Sequence, residues 1–589
     1  MIKVSDYIAK KLHSFGLNHI FMVTGGGAMH LNDSFAHDSP FRVTFNHNEQ
    51  ACAIAAEGLY RATGHVGIVN ITTGPGGLNT LTGLMGQWTD SIPAIYVSGQ
   101  VKYETTLMSC RELELRQLGD QEVDIIPIVK PLTKYAVSVI NPKDIRKELE
   151  KAWHVAMTGR KGPVWLDIPM NVQGAMVDEL SLDAYENPSK PILVQDASLI
   201  LELISSAKKP VIVAGHGLRL SGSIECLYRI LEKHPIPVVS TFNGFDIMFN
   251  EHPCYCGRIG TIGTRGGNFT LQNADLVIFL GTRNNIRQVS YNWENFAKDA
   301  ITVAVDIDNN ELQKSTFKAT HPIVADLATF MPSLEEGLRT TEMIDSKAWL
   351  TWAKERNERY PVTLPEHYAD KDHINPYPFM KILTESLDAN SVIVAGNGSA
   401  CVVLFQAGVV KKGQRIFWNS GCASMGYDLP AAIGAAVGTN GIVWCIAGDG
   451  SIQMNLQELA TISHNKLPIK IIYLNNGGYA SIRQTQVNFF GGMYGCGTNS
   501  GLGFPDIKKL AATYGLSYFV SNNIDLLSDD IEQVKSTKEA FIWEVNLKLD
   551  YSFEPKLSSK RLPDGTIVSP SLEDMYPFLS NEEMKSNRY

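Results

Sequence analysis

Short apolar runs alternate with amphipathic stretches along most of this chain. "VGIVNITTGPGGLNTLTGLMGQW" reads as a strand, a Gly-Pro loop and a helix, and "PVIVAGHG" followed by "SIECLYRILEKH" repeats that grammar. Strands covered on both faces read as near-continuous apolar runs. The alternation therefore predicts an α/β fold of doubly wound parallel sheets with helices on both sides. Val4, Ile8 and Leu12 recur at helical spacing and predict an amphipathic first helix. Phe41 to Phe45 predicts a short strand, followed by an alanine-rich helix over 51–62. In sheets of this kind, function gathers at the carboxyl ends of the strands.

Two interruptions divide the pattern. The Pro-bearing link "YENPSKPILVQDASL" follows the strand "PVWLDIP", and a charged helical segment between roughly 336 and 375 carries four prolines near its end. They predict domains over 1–185, 190–335 and 370–550, with a linker over 336–369. The polar tail over 551–589 reads equally as a flexible end or as a lid over a site. A length of 589 residues agrees with about three or four domains of roughly 150 residues each. The first and third domains share the strand, glycine loop and helix grammar, which suits a duplication.

Composition narrows the class. Hydrophobic residues make up 44% and charged residues 19%, enough for sizeable cores. A net charge of −9 without a basic block argues against nucleic acid as a partner. The nine cysteines are scattered singly, so no disulfide framework is expected. Cys254 and Cys256 stand one residue short of a CxxC pair. With neither a signal peptide nor an apolar run of about 18 residues, a soluble cytoplasmic protein is expected, without membrane association.

The chemistry concentrates in "VWCIAGDGSIQMNLQELATISHNKLPIKIIYLNNGGYASI", residues 443–482. Val443 to Ala447 predicts a buried strand, Gly448-Asp449-Gly450 a turn, and Ser451 the start of a helix with Leu456, Leu459 and Ile462 on one face. Ile469 to Leu474 predicts the next strand, ending in Asn475-Asn476-Gly477-Gly478. The right-handed crossover rule sets such strands side by side or nearly so. An Asp and an Asn at neighbouring strand ends, with a free carbonyl and a helix N-terminus, suit a hard cation bound together with phosphates. Either motif alone reads as an ordinary turn.

GDG followed by 24 residues and NN resembles the thiamine diphosphate signature. "TTGPGGLNTLTG", "DSIPAIYVSGQV", "GPVWLDIP", "MGYDLPAAIGAA" and "GDGSIQMNLQELATI" extend the likeness over nearly the whole chain. They resemble the acetolactate synthase (acetohydroxyacid synthase) large-subunit group. The resemblance implies pyrimidine-binding, middle and diphosphate-binding domains, in that order. It implies a magnesium ion on Asp449, Asn476 and the carbonyl of Gly478, with Gly450, Ser451, Tyr479 and Ala480 beside the diphosphate. It places Gly25, Gly26, Pro75 and Asn79 against the rest of the cofactor. It makes Glu49, in "NHNEQ", the carboxylate that protonates N1′ of the aminopyrimidine. Met425 becomes the wedge that bends the cofactor, and the Ala423 carbonyl the acceptor for its amino group. From residue type alone, Glu49 is a helix-capping glutamate and Met425 a core residue. The family's halves of a site come from different chains, so the resemblance also implies a homo-oligomer.

The family's substrate pocket corresponds to "VTGGGAMHLND", "LGDQEVD" and "SIRQTQ". Here the chain departs from acetolactate synthases. Asp120 stands where an aromatic precedes the catalytic Gln121, Thr485 replaces a tryptophan, Met170 replaces a lysine, and Thr24-Gly25-Gly26 replaces Pro-Gly-Gly. A pocket of Gly27, His30, Asp120, Gln121 and Thr485 suits a polar acceptor, and a nucleotide-linked keto sugar is one. Asp120 and His30 read equally as solvated surface groups. In the middle domain, "GHGLRLSG", "GTIGTRGGN", "LGTRNNIRQVS" and "AVDIDNNEL" resemble flavin-binding elements. The expected FAD contacts are Gly215, Gly217, Thr264, Arg265, Arg283, Arg287, Asp306 and Asp326.

The expected activity is a thiamine-diphosphate- and magnesium-dependent carboligase. It decarboxylates pyruvate or a similar small 2-oxo acid and passes the two-carbon unit to a carbonyl acceptor. The alternatives are acetolactate synthase proper, a simple 2-oxo-acid decarboxylase, a cyclic diketone hydrolase and a non-catalytic regulatory homologue. Decarboxylases of this type carry a His-His pair near Asp120, which this chain lacks.

Overall fold

The computed structural model describes residues 1–37, 39–188, 196–561 and 564–589. Part of the first predicted linker, 189–195, lies outside the described residues. Three six-stranded parallel sheets follow one another along the chain. Their strands are numbered here in chain order. The first sheet holds β1 (His19–Met22), β2 (Arg42–Phe45), β3 (Ile68–Ile71), β4 (Ile95–Gln100), β5 (Tyr135–Ser138) and β6 (Val164–Pro169). The second holds β7 (Pro210–Ala214), β8 (Val238–Ser240), β9 (Tyr255–Arg258), β10 (Leu276–Leu280), β11 (Ile301–Asp306) and β12 (His321–Val324). The third holds β13 (Val392–Ala395), β14 (Arg415–Phe417), β15 (Val443–Gly448), β16 (Ile469–Asn475), β17 (Ser517–Ser521) and β18 (Phe541–Asn546).

The first sheet runs β2-β1-β3-β4-β6-β5 and the third runs β14-β13-β15-β16-β18-β17. These are one topology used twice. The middle sheet runs β9-β8-β7-β10-β11-β12, the dinucleotide-binding order, with its reversal between β7 and β10. Central strands such as Ile68–Ile71 and Leu276–Leu280 are buried throughout because helices cover both faces.

The first helix, Val4–Ser14, buries Val4, Ile8 and Leu12 as their spacing predicts. The helix after β2 runs over Glu49–Thr63, two residues earlier than the alanine run indicated, because Asn48 caps it. The predicted linker contains the helix Lys347–Arg359, which packs on the middle domain. Trp349 is 1% exposed, and its indole donates to the Pro210 carbonyl at 3.0 Å. The tail also docks on the middle domain. Leu557 N donates to the Thr261 carbonyl at 2.7 Å, and the Tyr589 ring meets Trp349 and Trp352. Among the described residues, no helix is long and apolar enough to cross a membrane.

The first and third domains meet through the helices Glu49–Thr63 and Asp428–Thr439. Small residues bring the backbones together. A Cβ on Gly58 would lie 2.1 Å from the Ala431 carbonyl oxygen, and one on Gly434 would lie 1.9 Å from that of Ala55. The packing sets Glu49 at the start of one helix, and the Met425 loop leads into the other.

Candidate active site

β15 and β16 are adjacent and parallel, with Gly448 opposite Leu474, so their terminal turns share one edge. Asp449 is 2% exposed, and its Oδ2 accepts the backbone N–H groups of Asn476 (3.2 Å) and Gly478 (2.8 Å). Burial pushes its carboxyl up to about 6, while the N–H groups of Gly478, Gly450 and Asn476 and the charge of Arg483 pull it down. The inward atom of the Asn476 amide lies 3.3 Å from Asp449 Oδ1 and 2.5 Å from the Gly478 carbonyl oxygen; as a nitrogen it donates to both, and as an oxygen it joins them as a third acceptor. Gly478 has φ +123°, and a Cβ there would sit 2.2 Å from the Cys496 carbonyl oxygen, so glycine is required.

In the oxygen-inward orientation three acceptor oxygens converge with no proton between them. Such a cluster is repulsive until a cation enters it. Adjacent ligands of octahedral magnesium, each about 2.1 Å from the ion, stand about 3 Å apart; the 3.3 Å separation is close to this, and the 2.5 Å one would open by about half an ångström to admit the ion.

Around this cluster, the Tyr479 ring covers Gly450, where a Cβ would lie 2.0 Å from Cε1. Ala480 opens the helix Ala480–Phe490. Ser451 Oγ donates to Asp428 Oδ2 at 2.5 Å and accepts from Gly426 N at 3.0 Å. Ser451 does not open an α-helix as predicted. Ile452–Asn455 is a 3-10 turn, and the α-helix is Glu458–His464, with Leu459 and Ile462 buried. Asn455 Nδ2 donates to the Gly426 carbonyl (2.7 Å) and to Gln50 Oε1 (2.8 Å), a side-chain demand that competes with regular helix.

Met425 lies in the loop after β14 and is partly exposed. Ala423 takes φ +52°, a strained conformation for alanine, held by its N–H donating to Asn419 Oδ1 at 3.0 Å. The Ala423 carbonyl accepts from Asn397 Nδ2 at 3.2 Å.

On the first sheet, the cap of the helix Glu49–Thr63 is Asn48, whose side chain accepts from Gln50 N at 2.8 Å. Glu49 is therefore free of capping. Its Oε2 accepts from Asn79 Nδ2 at 3.0 Å. Asn79 ends the short helix Pro75–Asn79 after β3. The loop before that helix is met by Gln121, whose carbonyl oxygen would lie 1.9 Å from a Cβ on Gly74. Gln121 has φ +63°, again strained. Gly25 packs on Thr72, Gly26 adjoins it, and Gly27 N donates to Thr72 Oγ1 at 3.1 Å. Glu49, Pro75, Asn79, Gln121 and the first glycine loop thus gather at one strand edge.

Asp120 is exposed, the His30 ring lies against Gly174, and the exposed Thr485 donates to the Ser481 carbonyl at 3.0 Å. Among the described residues, no hydrogen bond or ion pair joins them.

In the middle domain a cavity of about 300 Å³ opens where the strand order reverses. Gly217, Arg283, Arg287, Asp306 and Asp326 line it, with Arg160 and Lys161 from the first domain. Gly215 packs on Gly281, where a Cβ would come within 2.3 Å of a carbonyl oxygen. Thr264 and Arg265 are engaged elsewhere. Thr264 caps the helix Arg265–Gln272, and Arg265 donates to the tail carbonyls of Met575 and Pro577.

Several site residues escape the sequence reading. Glu458 accepts from Asn46 Nδ2 and His47 N, each at 2.9 Å, and ties "NHNEQ" to the third domain. Ser399, which opens the helix Ser399–Ala407 after β13, and Tyr551, at the root of the tail, both reach Asn476. "VIVAGNGSA" carries the same strand and glycine-loop signal that marked Asp449, and it would have exposed Ser399. Nothing local marks Tyr551.

Family models match the three domains in turn. Residues 2–127 match the thiamine pyrophosphate enzyme N-terminal TPP binding domain, 197–334 its central domain and 396–545 its C-terminal TPP binding domain. Fold and site define a thiamine pyrophosphate enzyme. The acetolactate synthase large subunit of Lactococcus lactis is 32% identical over 91% of this chain and 91% of its own length. Acetolactate synthase of Arthrospira platensis is 31% identical over 93% and 94%, and chloroplastic acetolactate synthase 1 of Nicotiana tabacum is 31% identical over 92% and 81%. The chain belongs to the acetolactate synthase large-subunit-like family of thiamine-diphosphate-dependent carboligases.

Proposed function

We propose that this chain decarboxylates pyruvate or a similar 2-oxo acid and joins the remaining two-carbon unit to a second 2-oxo acid. The carrying observation is the convergence of Asp449, Asn476 and the Gly478 carbonyl, in a chain that keeps Glu49 and aligns end to end with acetolactate synthases. When bound, thiamine diphosphate supplies the carbon–carbon chemistry that a protein side chain cannot. Asp449, Asn476 and the Gly478 carbonyl would hold the magnesium that anchors its diphosphate, with Gly450, Ser451, Tyr479 and Ala480 around them. Glu49 holds a proton toward the pyrimidine nitrogen, with Asn79 fixing its carboxylate. Met425 would pack against the bound cofactor, and Gln121 would border the substrate.

We assign the complete site to two copies of the chain. Ile482, Val487, Phe489 and Phe490, on the helix beside the metal ligands, are 46%, 48%, 67% and 74% exposed in a single copy. An apolar face of that extent suits cover by a partner chain. FAD is our reading of the middle cavity. Arg283 and Arg287 offer charge to a pyrophosphate, and Asp306, at the end of β11, suits a ribose. A yellow colour with a flavin absorbance band on the purified protein confirms it, and a colourless protein that takes up no added FAD refutes it.

A second reading keeps the donor and changes the acceptor to a polar keto sugar, favoured by Asp120 and Thr485 in place of apolar groups. One experiment separates the two. The protein is incubated with pyruvate, thiamine diphosphate, magnesium and a panel of acceptors, and products are identified by mass. Acetolactate from pyruvate alone supports the first reading. Product only with a keto-sugar nucleotide supports the second, and CO2 release with acetaldehyde alone contradicts both.

A further inference from the structure

An asparagine amide that serves a cation must present its oxygen, and nothing in the amide itself enforces this. Asn476 is 3% exposed and has two ways to settle. With the oxygen inward, it faces Asp449 and the Gly478 carbonyl, and Nδ2 points outward. Turned over, the nitrogen donates to Asp449 Oδ1 (3.3 Å) and to the Gly478 carbonyl (2.5 Å), and the oxygen accepts from the Tyr551 hydroxyl at 3.1 Å. The turned state satisfies the amide without a metal and blocks the site. The oxygen-inward state requires acceptors for Nδ2. Two hydroxyls meet it there, Tyr551 Oη at 3.1 Å and Ser399 Oγ at 3.3 Å, and they hydrogen-bond to each other.

Tyr551 is well placed for this task. It is 7% exposed, its carbonyl accepts from Gln484 Nε2 at 2.9 Å, and its ring meets Phe553. With its proton given to Ser399 Oγ, the Tyr551 oxygen can only accept, which suits Nδ2 and not the amide oxygen. It lies at the root of a tail anchored on the third and middle domains: Gln406 Nε2 donates to the Pro555 carbonyl, and Leu557 N to the Thr261 carbonyl.

We propose that Tyr551 is a positioning residue for the metal: its hydroxyl, paired with Ser399, receives the Asn476 amide nitrogen and keeps the amide oxygen turned toward the cation. The proposal rests on the reading of Asp449, Asn476 and Gly478 as magnesium ligands. Residues that orient metal ligands typically change metal affinity by about 10- to 100-fold when lost.

The test is direct titration with Mn2+ in the presence of thiamine diphosphate, with free metal followed by electron paramagnetic resonance. Tyr551→Phe keeps the ring and removes the hydroxyl, and the dissociation constant should rise roughly 10- to 100-fold. In an Asn476→Asp background, whose two carboxylate oxygens make orientation irrelevant, the same substitution should cost less than about threefold. A loss of equal size in both backgrounds makes Tyr551 merely structural and overturns the proposal, as does an unchanged constant in Tyr551→Phe. Failure of the unsubstituted protein to bind Mn2+ with the cofactor instead overturns the metal-site reading beneath it. Melting curves of each variant separate misfolding from lost affinity.

Discussion

Asp428 shows how a single buried carboxyl shapes this site. It is 0% exposed, accepts from Ser451 Oγ at 2.5 Å and from Leu429 N at 3.0 Å, and its pKa is raised from 3.8 to about 6, chiefly by burial. The folded state binds this proton more tightly than the unfolded chain. Its contribution to stability is therefore present below the ordinary carboxylate range and lost as pH climbs through about 6. Asp428→Asn should gain stability relative to the parent as pH rises from about 3.8 to about 6, by at most about 3 kcal/mol, with little further change above. Melting temperatures across that range check it, and a pH-independent difference contradicts it. At this scale Asp449, Asn476 and Gly478 were legible because they follow strands that are themselves legible, whereas Glu49, the first residue of a helix, was marked by the family resemblance alone. Asp428, Ser399 and Tyr551 act through contacts between distant segments, which local pattern does not encode. Asp120, His30 and Thr485 were read together from residue type, and among the described residues of one chain no hydrogen bond or ion pair joins them.

The elements that matter most are the helices Glu49–Thr63 and Asp428–Thr439. Their backbones meet at Gly58 and Gly434, where an added Cβ would lie 2.1 Å and 1.9 Å from carbonyl oxygens of the opposing helix. Gly434→Ala should force them apart, at a cost of roughly 1–3 kcal/mol. It should also lower activity more than the melting shift alone explains, because the Asp428–Thr439 helix follows Met425. Equal losses in both would contradict the positioning role. Helix and strand identity was readable from apolar spacing. Boundaries moved where side chains intervened: Asn48 lengthened one helix, and Asn455 turned the expected helix after Gly450 into a 3-10 turn.

Across the whole molecule, a buried ionic network ties the domains together. Arg61 bonds Glu57 (2.7 Å) and Asp90 (2.6 Å), and Asp90 also accepts from Ser420 N at 3.2 Å. Arg415 donates to the Arg61 carbonyl at 2.5 Å and pairs with Asp246 of the middle domain at 2.6 Å. Arg61→Met leaves two carboxylates without their cation and should cost about 3–5 kcal/mol, read as a fall in melting temperature. A shift no larger than that of a surface arginine would contradict it. The three-sheet order was legible from strand–helix alternation. The network was not, since its members are scattered singly along the chain, and neither was the docking of the tail on the middle domain.

The central claim is that Glu49 drives chemistry on a cofactor held by Asp449, Asn476 and Gly478. Release of labelled CO2 from carboxyl-labelled pyruvate, measured alongside thiamine diphosphate binding, tests it most directly. The parent should release CO2 only with both magnesium and the cofactor, and Glu49→Gln should bind the cofactor but lose most of that turnover. Full turnover in Glu49→Gln would contradict the account.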